Sequence, residues 1–402
     1  MSPGESDAPT VAVVGGGQLA RMMAEPAAAM GIPLRLLAEA PGVAAAQVIP
    51  DHVVGDYRDL PTLRSLVEGC RVVTFDHEHV PTDHLHALEA DGVAVRPGPE
   101  ALVHAQDKVV MREALERVGV PLPRFRLVTN ADEVVDFGLP CVLKISRGGY
   151  DGKGVWFVST AEECGPAFEA AASTGVRILA EERVDFRREL SALVARSPSG
   201  QAAAYPVVES VQRDGICREV VAPAPGLPDA LAMQTQELAL RIARELGVTG
   251  ILAVELFETT DGRILVNELA MRPHNTGHWT QDGAETSQFE NHLRAVLDLP
   301  LGSPVARSAW TVMVNILGGA DEQVGPLYDG YPHVLARDPH LRVHLYGKDL
   351  RPGRKVGHVN AYGDDLQECL ERARHAAAWF AGELETAAER PPRSKELGDE
   401  SE

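Results

Sequence analysis

The sequence predicts a mixed α/β and α+β chain in three parts. These are a doubly wound N-terminal α/β domain, a central α+β unit and a small β-rich C-terminal domain. Three observations carry this expectation. Short apolar runs alternate with helical patterns over the first hundred residues, as in a doubly wound sheet. A glycine-rich loop separates two apolar runs near residue 150. Farther on, an Asp261-Gly262 pair between two β-like runs signals a hairpin.

Taken in order, residues 10–14 read as a strand, followed by Gly15-Gly16-Gly17 and a helical pattern over 19–30. Strands are expected at 34–38 and 72–75 with helical stretches between them, giving a substrate-binding domain over 10–100. Pro97-Gly98-Pro99 breaks the pattern. A helix over 108–118, ended by Gly119, opens the central unit, 108–299. Strands are expected there at 141–145, 155–158, 177–181, 191–195, 203–207, 252–257 and 263–268, and a long helix at 229–246. Runs at 310–316, 343–346 and 357–362 read as strands of the third unit, 308–385. Residues 1–9 and the charged tail 390–402 are expected to be disordered.

Composition bounds the function. The 402 residues are 45% hydrophobic and 24% charged, an ordinary globular balance. No apolar run approaches the ~20 residues needed to span a bilayer, and the N-terminus lacks a signal-peptide core. A cytoplasmic protein is therefore expected. Lys and Arg number 38 against 58 Asp and Glu, a formal charge of −20, which argues against nucleic acid or an anionic membrane as partner. A small anionic substrate needs only a local cluster of cations or N–H groups. The five cysteines are scattered without a C-x-x-C pair, so reduced thiols are expected.

The most informative segment runs from Lys144 to Gly154. A lysine ends a strand, and four glycines follow within residues 148–154, with Lys153 among them. Glycines let backbone N–H groups approach a polyphosphate, and lysines neutralise its charge. The G-x-x-x-x-G-K-[ST] pattern is absent and no helix follows. The plain alternative is a flexible hairpin turn.

The Asp261-Gly262 hairpin is a separate signal. A two-residue loop pairs Thr260 with Arg263 and sets Glu255 opposite Glu268. Like charges directly opposite are destabilising, so this half-buried pair needs a cation or a shared proton. Magnesium held by carboxylates and substrate phosphates meets that need. In the alternative register one glutamate points to solvent. Between the loop and the hairpin, Glu181-Glu182-Arg183-Val184 ends a strand, with Glu189 beyond. Such an exit offers backbone groups to an adenine edge and a carboxylate to ribose hydroxyls, although acidic strand ends are commonly solvated turns.

The order of lysine, glycine-rich loop, Glu-x-x-Val hinge and Glu…Asn-Glu pair resembles the ATP-grasp superfamily. Within it, four segments resemble the N5-carboxyaminoimidazole ribonucleotide synthetases. They are Gly16-Gly17-Gln18-Leu19, the Gly148–Gly154 loop, Asn275-Thr276-Gly277-His278-Trp279 and the Arg351–His358 segment. Together they run through nearly the whole ordered chain; the last three are long and specific.

The resemblance implies ATP-dependent carboxylation of aminoimidazole ribonucleotide with bicarbonate, through carboxyphosphate, in purine biosynthesis. It also implies a homodimer and the use of ATP with Mg2+, or Mn2+ in its place. Lys108 and Lys144 would contact ATP phosphates, with Gly149, Tyr150, Asp151, Gly152, Lys153, Gly154 and Val155 closing over them. Glu181, Glu182, Arg183 and Val184 would hold adenine and Glu189 the ribose, with Gln212 and Asn267 beside the nucleotide. Glu255 and Glu268 would bind the metal. Gly17, Gln18, Leu19, Glu78, Tyr150, Asp151, Lys348, Arg351, Arg354 and Lys355 would bind the ribonucleotide, the helix start around Gln18 and Leu19 receiving its 5′-phosphate. Lys153, Arg272, Asn275 and His278 would serve the chemistry, which is mainly positioning and charge neutralisation. Two positions depart from the family pattern: Ala20 stands where glycine is frequent, and His104 where arginine is frequent. The phosphate expectation there rests on Lys108.

Other readings fit parts of the chain. Gly15-x-Gly17-x-x-Ala20 with Glu39 matches a dinucleotide fingerprint, but a nicotinamide oxidoreductase leaves the later loop and the glutamate pair unexplained. Asp76-His77-Glu78-His79, with His84 and His86, suggests a metal site; Glu78 as a substrate contact is preferred. His278 fits a structural imidazole as well as a substrate contact. A binding-only module would be expected to have lost Glu255, Glu268 or Lys153. A formate-using ligase acting on glycinamide ribonucleotide shares the architecture, but the Tyr150-Asp151 loop and residues 351–355 favour the carboxylating enzyme.

Overall fold

A computed structural model of the chain describes residues 8–149, 153–213, 215–319 and 326–384. Tyr150, Asp151 and Gly152 lie outside the described residues, as do both termini expected to be disordered.

The N-terminal strands β1 (Val11–Val14), β2 (Leu34–Ala38), β3 (His52–Val54) and β4 (Val72–Phe75) form a parallel sheet in the order β3-β2-β1-β4. All four β1 residues are buried because helices cover both faces, which is why the run carries no alternation. The helix Gln18–Met30 follows β1 and stops at Gly31, whose φ of 67° provides a left-handed cap. A helix from the central unit, Gln288–Val296, completes this core by packing Phe289, Leu293 and Val296 against Leu19 and Met23. On the same helix, buried His292 bonds Thr74 Oγ1 of β4 through Nε2 at 2.8 Å. Its Nδ1 accepts from the Ile251 N–H at 3.2 Å, which fixes the tautomer with the proton on Nε2.

Four strands, β5 (Phe125–Val128), β6 (Cys141–Ile145), β7 (Val155–Val158) and β8 (Ile178–Glu182), build an antiparallel sheet in the order β5-β8-β6-β7. The glycine-rich loop is the connection from β6 to β7. The remaining strands are β9 (Phe186–Arg196), β10 (Ala202–Ala204), β11 (Val208–Arg213), β12 (Ile216–Ala222), β13 (Gly250–Thr259), β14 (Ile264–Ala270), β15 (Trp310–Leu317), β16 (Arg342–Leu345) and β17 (Lys355–Gly363). They join in one nine-stranded sheet of order β14-β13-β9-β11-β12-β15-β17-β16, with β10 paired to β9.

One expectation needs correction. The run 203–207 is not one strand: β10 ends at Ala204 and β11 begins at Val208. Pro206 between them has no N–H to give to a ladder. The strands expected for the third unit also join the central sheet, since β15 pairs with β12, Glu219 opposite Val314 and Ala222 opposite Thr311. Pairing across so long a chain separation leaves no local pattern to read. The helix Leu366–Ala381 covers the apolar face of β15 and β17 with Ala373, Ala377 and Phe380.

Candidate active site

A cleft of about 1450 Å3 opens between the four-stranded sheet and the β14 edge of the nine-stranded one, and reaches the N-terminal unit. Its floor is the β13–β14 hairpin. Glu255 stands opposite Glu268, as expected, but by a different route. The hairpin loop has three residues, 260–262: Thr259 N donates to Arg263 O, and Gly262, with φ 84°, takes the left-handed position. Pairing then runs Glu258–Ile264, Phe257–Leu265 and Leu256–Val266, and a β-bulge before Glu255 leaves Asn267 as the extra residue. The longer loop and the bulge shift the register in opposite senses, so they cancel at Glu255 and Glu268.

Both acids have nitrogen partners. The Lys108 ammonium donates to Glu268 Oε1, and His274 Nε2 lies 3.2 Å from Glu255 Oε1. Burial would raise the Glu255 pKa, but the His274 hydrogen bond and the charges of His274, Lys108 and Arg272 hold it below the usual value. Lys144 Nζ sits 2.6 Å from Glu181 Oε2 and donates to Asn267 Oδ1 at 3.1 Å. Glu181 is buried. Burial opposes its charge, yet Arg112 at 2.6 Å and Lys144 together pull its pKa down to about 2.

The glycine-rich loop is tied at its base to the start of the Lys108–Arg117 helix. Lys108 N donates to Ser146 O, and Asp107, which caps that helix through Val109 N, receives Arg147 Nε at 2.9 Å and Arg177 Nη2 at 3.2 Å. Gly154 has φ 73°, and a Cβ there would collide with Ile145, so glycine is required by conformation and by space. Gly149, Lys153 and Val155 line the cleft. So do Glu182, Arg183, Val184 and Gln212, while Phe186 and Phe257 stack at 4.7 Å along its apolar wall. Glu189, on β9 opposite Phe257, has its pKa pushed up to about 7 by burial and then by the charge of Glu255.

At the N-terminal end of the cleft stand Gln18, Leu19, Asp76, Glu78, Arg272, Asn275 and Lys355. Arg272 Nε donates to Glu78 Oε2 at 2.8 Å. Half-buried Asn275 lines the cleft beside Cys217, whose thiol its side chain reaches. Lys348 donates to Gln18 Oε1.

Comparison with known proteins agrees with this layout. A ribonucleotide synthetase preATP-grasp domain model matches residues 8–106, an ATP-grasp domain model residues 113–289, and a phosphoribosylaminoimidazole carboxylase C-terminal domain model residues 311–372. An N5-carboxyaminoimidazole ribonucleotide synthase of Mycobacterium tuberculosis is 56% identical over 378 residues, 93% of this chain and 88% of that protein. The chain belongs to the N5-carboxyaminoimidazole ribonucleotide synthase family. It is thus an ATP-dependent ligase of ATP-grasp architecture. The crystal structure of the synthetase from Thermus thermophilus is 39% identical, with a TM-score of 0.82 over 93% of this chain and 99% of the other. A synthase from Aspergillus clavatus, in complex with ADP and 5-aminoimidazole ribonucleotide, is 31% identical, with a TM-score of 0.83 over 93% and 99%.

Most of the site residues expected for this family gather in the one cleft. Several do not behave as expected. His278 is fully buried outside the cleft lining, its Nδ1 accepting from Gln288 Nε2 at 3.0 Å, its ring against His358 and Phe289. Burial lowers its pKa well below the usual value, and its Nε2 makes no hydrogen bond among the described residues. The Glu181 carboxylate is held by Arg112 and Lys144. The start of the Gln18–Met30 helix already has a carboxyl partner, whose pKa burial raises: Asp76 Oδ1 accepts from Ala20 N at 2.7 Å, and Gly17 is required because a Cβ would collide with Asp76. Gly17, Lys348, Arg351 and Arg354 lie outside the cleft lining, Lys348 reaching it through Gln18. The suggested metal site around His77 is spent on other partners, with Glu78 on Arg272 and His77 within 3.6 Å of Glu39. No cluster of three or more metal-ligating side chains occurs among the described residues.

Asp107, Arg112 and Arg147 were given no role from sequence, because their roles depend on partners distant in the chain.

Proposed function

We propose that this chain carboxylates 5-aminoimidazole ribonucleotide with bicarbonate, consuming ATP and releasing ADP and phosphate, in purine biosynthesis. The observation that carries the reading is the opposed Glu255–Glu268 pair, bracketed by Lys108 and Lys144, at the floor of a cleft whose far end presents Arg272, Asn275 and Lys355. One end is fitted to a nucleotide polyphosphate and the other to a second anionic substrate.

The donor set fits magnesium, or manganese, since two carboxylates completed by substrate phosphates are the usual means of holding such a cation. When bound there it supplies charge neutralisation on the β- and γ-phosphates. Lys144, aimed by Glu181 and Asn267, and Lys108 neutralise the remaining phosphate charge. A bicarbonate oxygen attacks the γ-phosphorus, the bond to ADP breaks, and carboxyphosphate forms. The exocyclic amine then takes up the carboxyl carbon, directly or after carbon dioxide is released, and inorganic phosphate leaves as the amine proton is lost. Arg272, held by Glu78, and Asn275, which line the cleft, are assigned to the carboxyl oxygens. Lys355 and Lys348 are placed for the ribonucleotide, and Glu189 for the ribose of ATP. Tyr150 and Asp151 are assigned to the ribonucleotide by family resemblance. A homodimer in the cytoplasm is part of the same reading, checked for assembly by light scattering on the purified protein.

The test is ADP release with ATP, magnesium and bicarbonate, with and without aminoimidazole ribonucleotide. Strong stimulation by that ribonucleotide is expected. Stimulation by glycinamide ribonucleotide with formate would transfer the substrate assignment to the other ligase class, and no release with either would reject the enzyme reading.

A further inference from the structure

The Arg112 guanidinium is 1% exposed and lies beneath the nucleotide end of the cleft. Its Nε donates to Glu181 Oε1 at 2.6 Å and its Nη1 to the Val266 carbonyl at 3.1 Å. Both partners lead into the site. The other oxygen of Glu181 meets Lys144, whose ammonium reaches Asn267 Oδ1. Val266 is the last residue before the bulge that carries Asn267 and sets Glu268.

β14 is the edge strand of its sheet, so its outward backbone groups need partners. Val266 N donates to Pro121 O at 2.9 Å, and Arg112 takes the Val266 carbonyl. Arg112 follows Lys108 by four residues, which places both on one face of the helix. That face therefore grips the bulge from both sides: Arg112 holds the carbonyl before it, and Lys108 the carboxylate after it.

A charge this deeply buried is costly to desolvate, and an apolar side chain of similar volume usually serves stability as well or better. What arginine adds is two donors fixed in direction by a planar fork. We infer that Arg112 is a positioning residue of the nucleotide and metal site, holding Asn267, Glu268 and Lys144 in register through the Val266 carbonyl and Glu181. The inference rests on the proposed ATP-dependent activity.

The test compares wild type with Arg112→Lys and Arg112→Met. Each variant is measured for Mg·ADP affinity by titration calorimetry without ribonucleotide, for steady-state constants, and for thermal midpoint. A lysine ammonium lacks the planar fork whose Nε and Nη1 reach Glu181 and the Val266 carbonyl in two directions, so loss of about one charged hydrogen bond is expected in Arg112→Lys, weakening Mg·ADP about tenfold. The KM for ATP and the magnesium requirement rise with it, while the KM for the ribonucleotide stays within about twofold. Arg112→Met shows the same pattern, more strongly. A lowered thermal midpoint with unchanged Mg·ADP affinity would make Arg112 merely structural and overturn the inference, as would equal weakening of both substrates. If Arg112→Met does not fold, Arg112→Lys decides. Failure of the ribonucleotide to stimulate wild-type turnover would sink the functional reading, while the ADP affinities would still judge Arg112.

Discussion

Glu255 and Glu268 face each other across β13 and β14, yet each carboxylate has a side-chain partner of its own, His274 for the first and Lys108 for the second. The like-charge opposition that would otherwise destabilise the hairpin is thereby met by side chains alone. Glu255 and Glu268 would together hold a divalent cation, and Lys108 would then be available to the phosphates.

Glu268→Gln removes a charge from that pair without changing its shape. The expected outcome is a fall of at least about 100-fold in kcat/KM for ATP, the upper end of what losing a supporting ligand costs. Stability should change by less than about 1 kcal/mol, because the Glu268 side chain is 42% exposed and its ion pair with Lys108 is screened. Coupled ADP-release kinetics and urea unfolding check the two halves. Retained activity would remove Glu268 from the metal assignment.

Glu189 gives a pH signature. Its carboxyl is raised from 4.5 to about 7 by burial and by Glu255. Between those values the folded protein keeps a proton that the unfolded chain has lost. The stability tied to this group is therefore full below about pH 4.5 and declines as pH rises through about 7. At about 1.4 kcal/mol per unit, and discounted for partial solvent access, Glu189→Gln should stabilise the metal-free protein by roughly 2 kcal/mol at pH 8. Urea unfolding without nucleotide should show the gap closing toward pH 4.5. A gap that does not vary with pH would contradict the repulsion from Glu255.

These acids also show what the sequence could reveal. The Glu255–Glu268 opposition was legible because a hairpin register is local, although the counting succeeded through two compensating departures, a three-residue loop and the Asn267 bulge. The parallel N-terminal sheet was legible from its apolar runs. The junction of β12 with β15 was not, because edge-to-edge pairing of distant segments has no sequence period. The roles of Arg112 and His274 depend on groups from far along the chain, and a lone arginine on a helix reads as solvated until its partners are placed. His278 belongs to a specific motif, but the motif could not tell a cleft wall from the buried layer behind it.

His292 should shape the acid limb of stability. Burial lowers its pKa from 6.5 to about 3, so the unfolded chain takes up a proton that the folded protein refuses. Stability is full above about pH 6.5 and is lost as pH falls toward 3, by at most about 1.4 kcal/mol per pH unit. Buried His278 and His358 act in the same direction. His292→Leu leaves Thr74 Oγ1 and Ile251 N without their partner and should cost about 2–4 kcal/mol at pH 7. It also removes the protonation penalty, so the deficit relative to wild type should shrink by about 2 kcal/mol at pH 5. Parallel urea titrations at the two pH values decide; a constant deficit would mean that His292 does not titrate between them.

Asp282 sits a few residues beyond Asn275, and its Oδ2 accepts from His344 Nε2 at 2.8 Å on β16 and from Asn360 Nδ2 at 2.7 Å on β17. Burial opposes its charge, but the His344 hydrogen bond and charge, with Asn360, hold its pKa low. The connection between β16 and β17 carries Lys348, Arg351 and Arg354, and Lys355 begins β17. One carboxylate thus fastens the segment bearing the expected ribonucleotide cations to the segment bearing Asn275. Asp282→Asn removes the charge from both bonds and should loosen the cations' placement. A charge-assisted bond contributes about 1.5 kcal/mol more than a neutral one, which corresponds to a rise of roughly tenfold in the KM for the ribonucleotide. The KM for ATP should stay within about twofold, because Lys108, Lys144 and Glu268 do not touch this clamp. Steady-state kinetics with each substrate varied separately checks the split. An equal rise in both constants would show a general loosening of the sheet rather than a clamp on the ribonucleotide end.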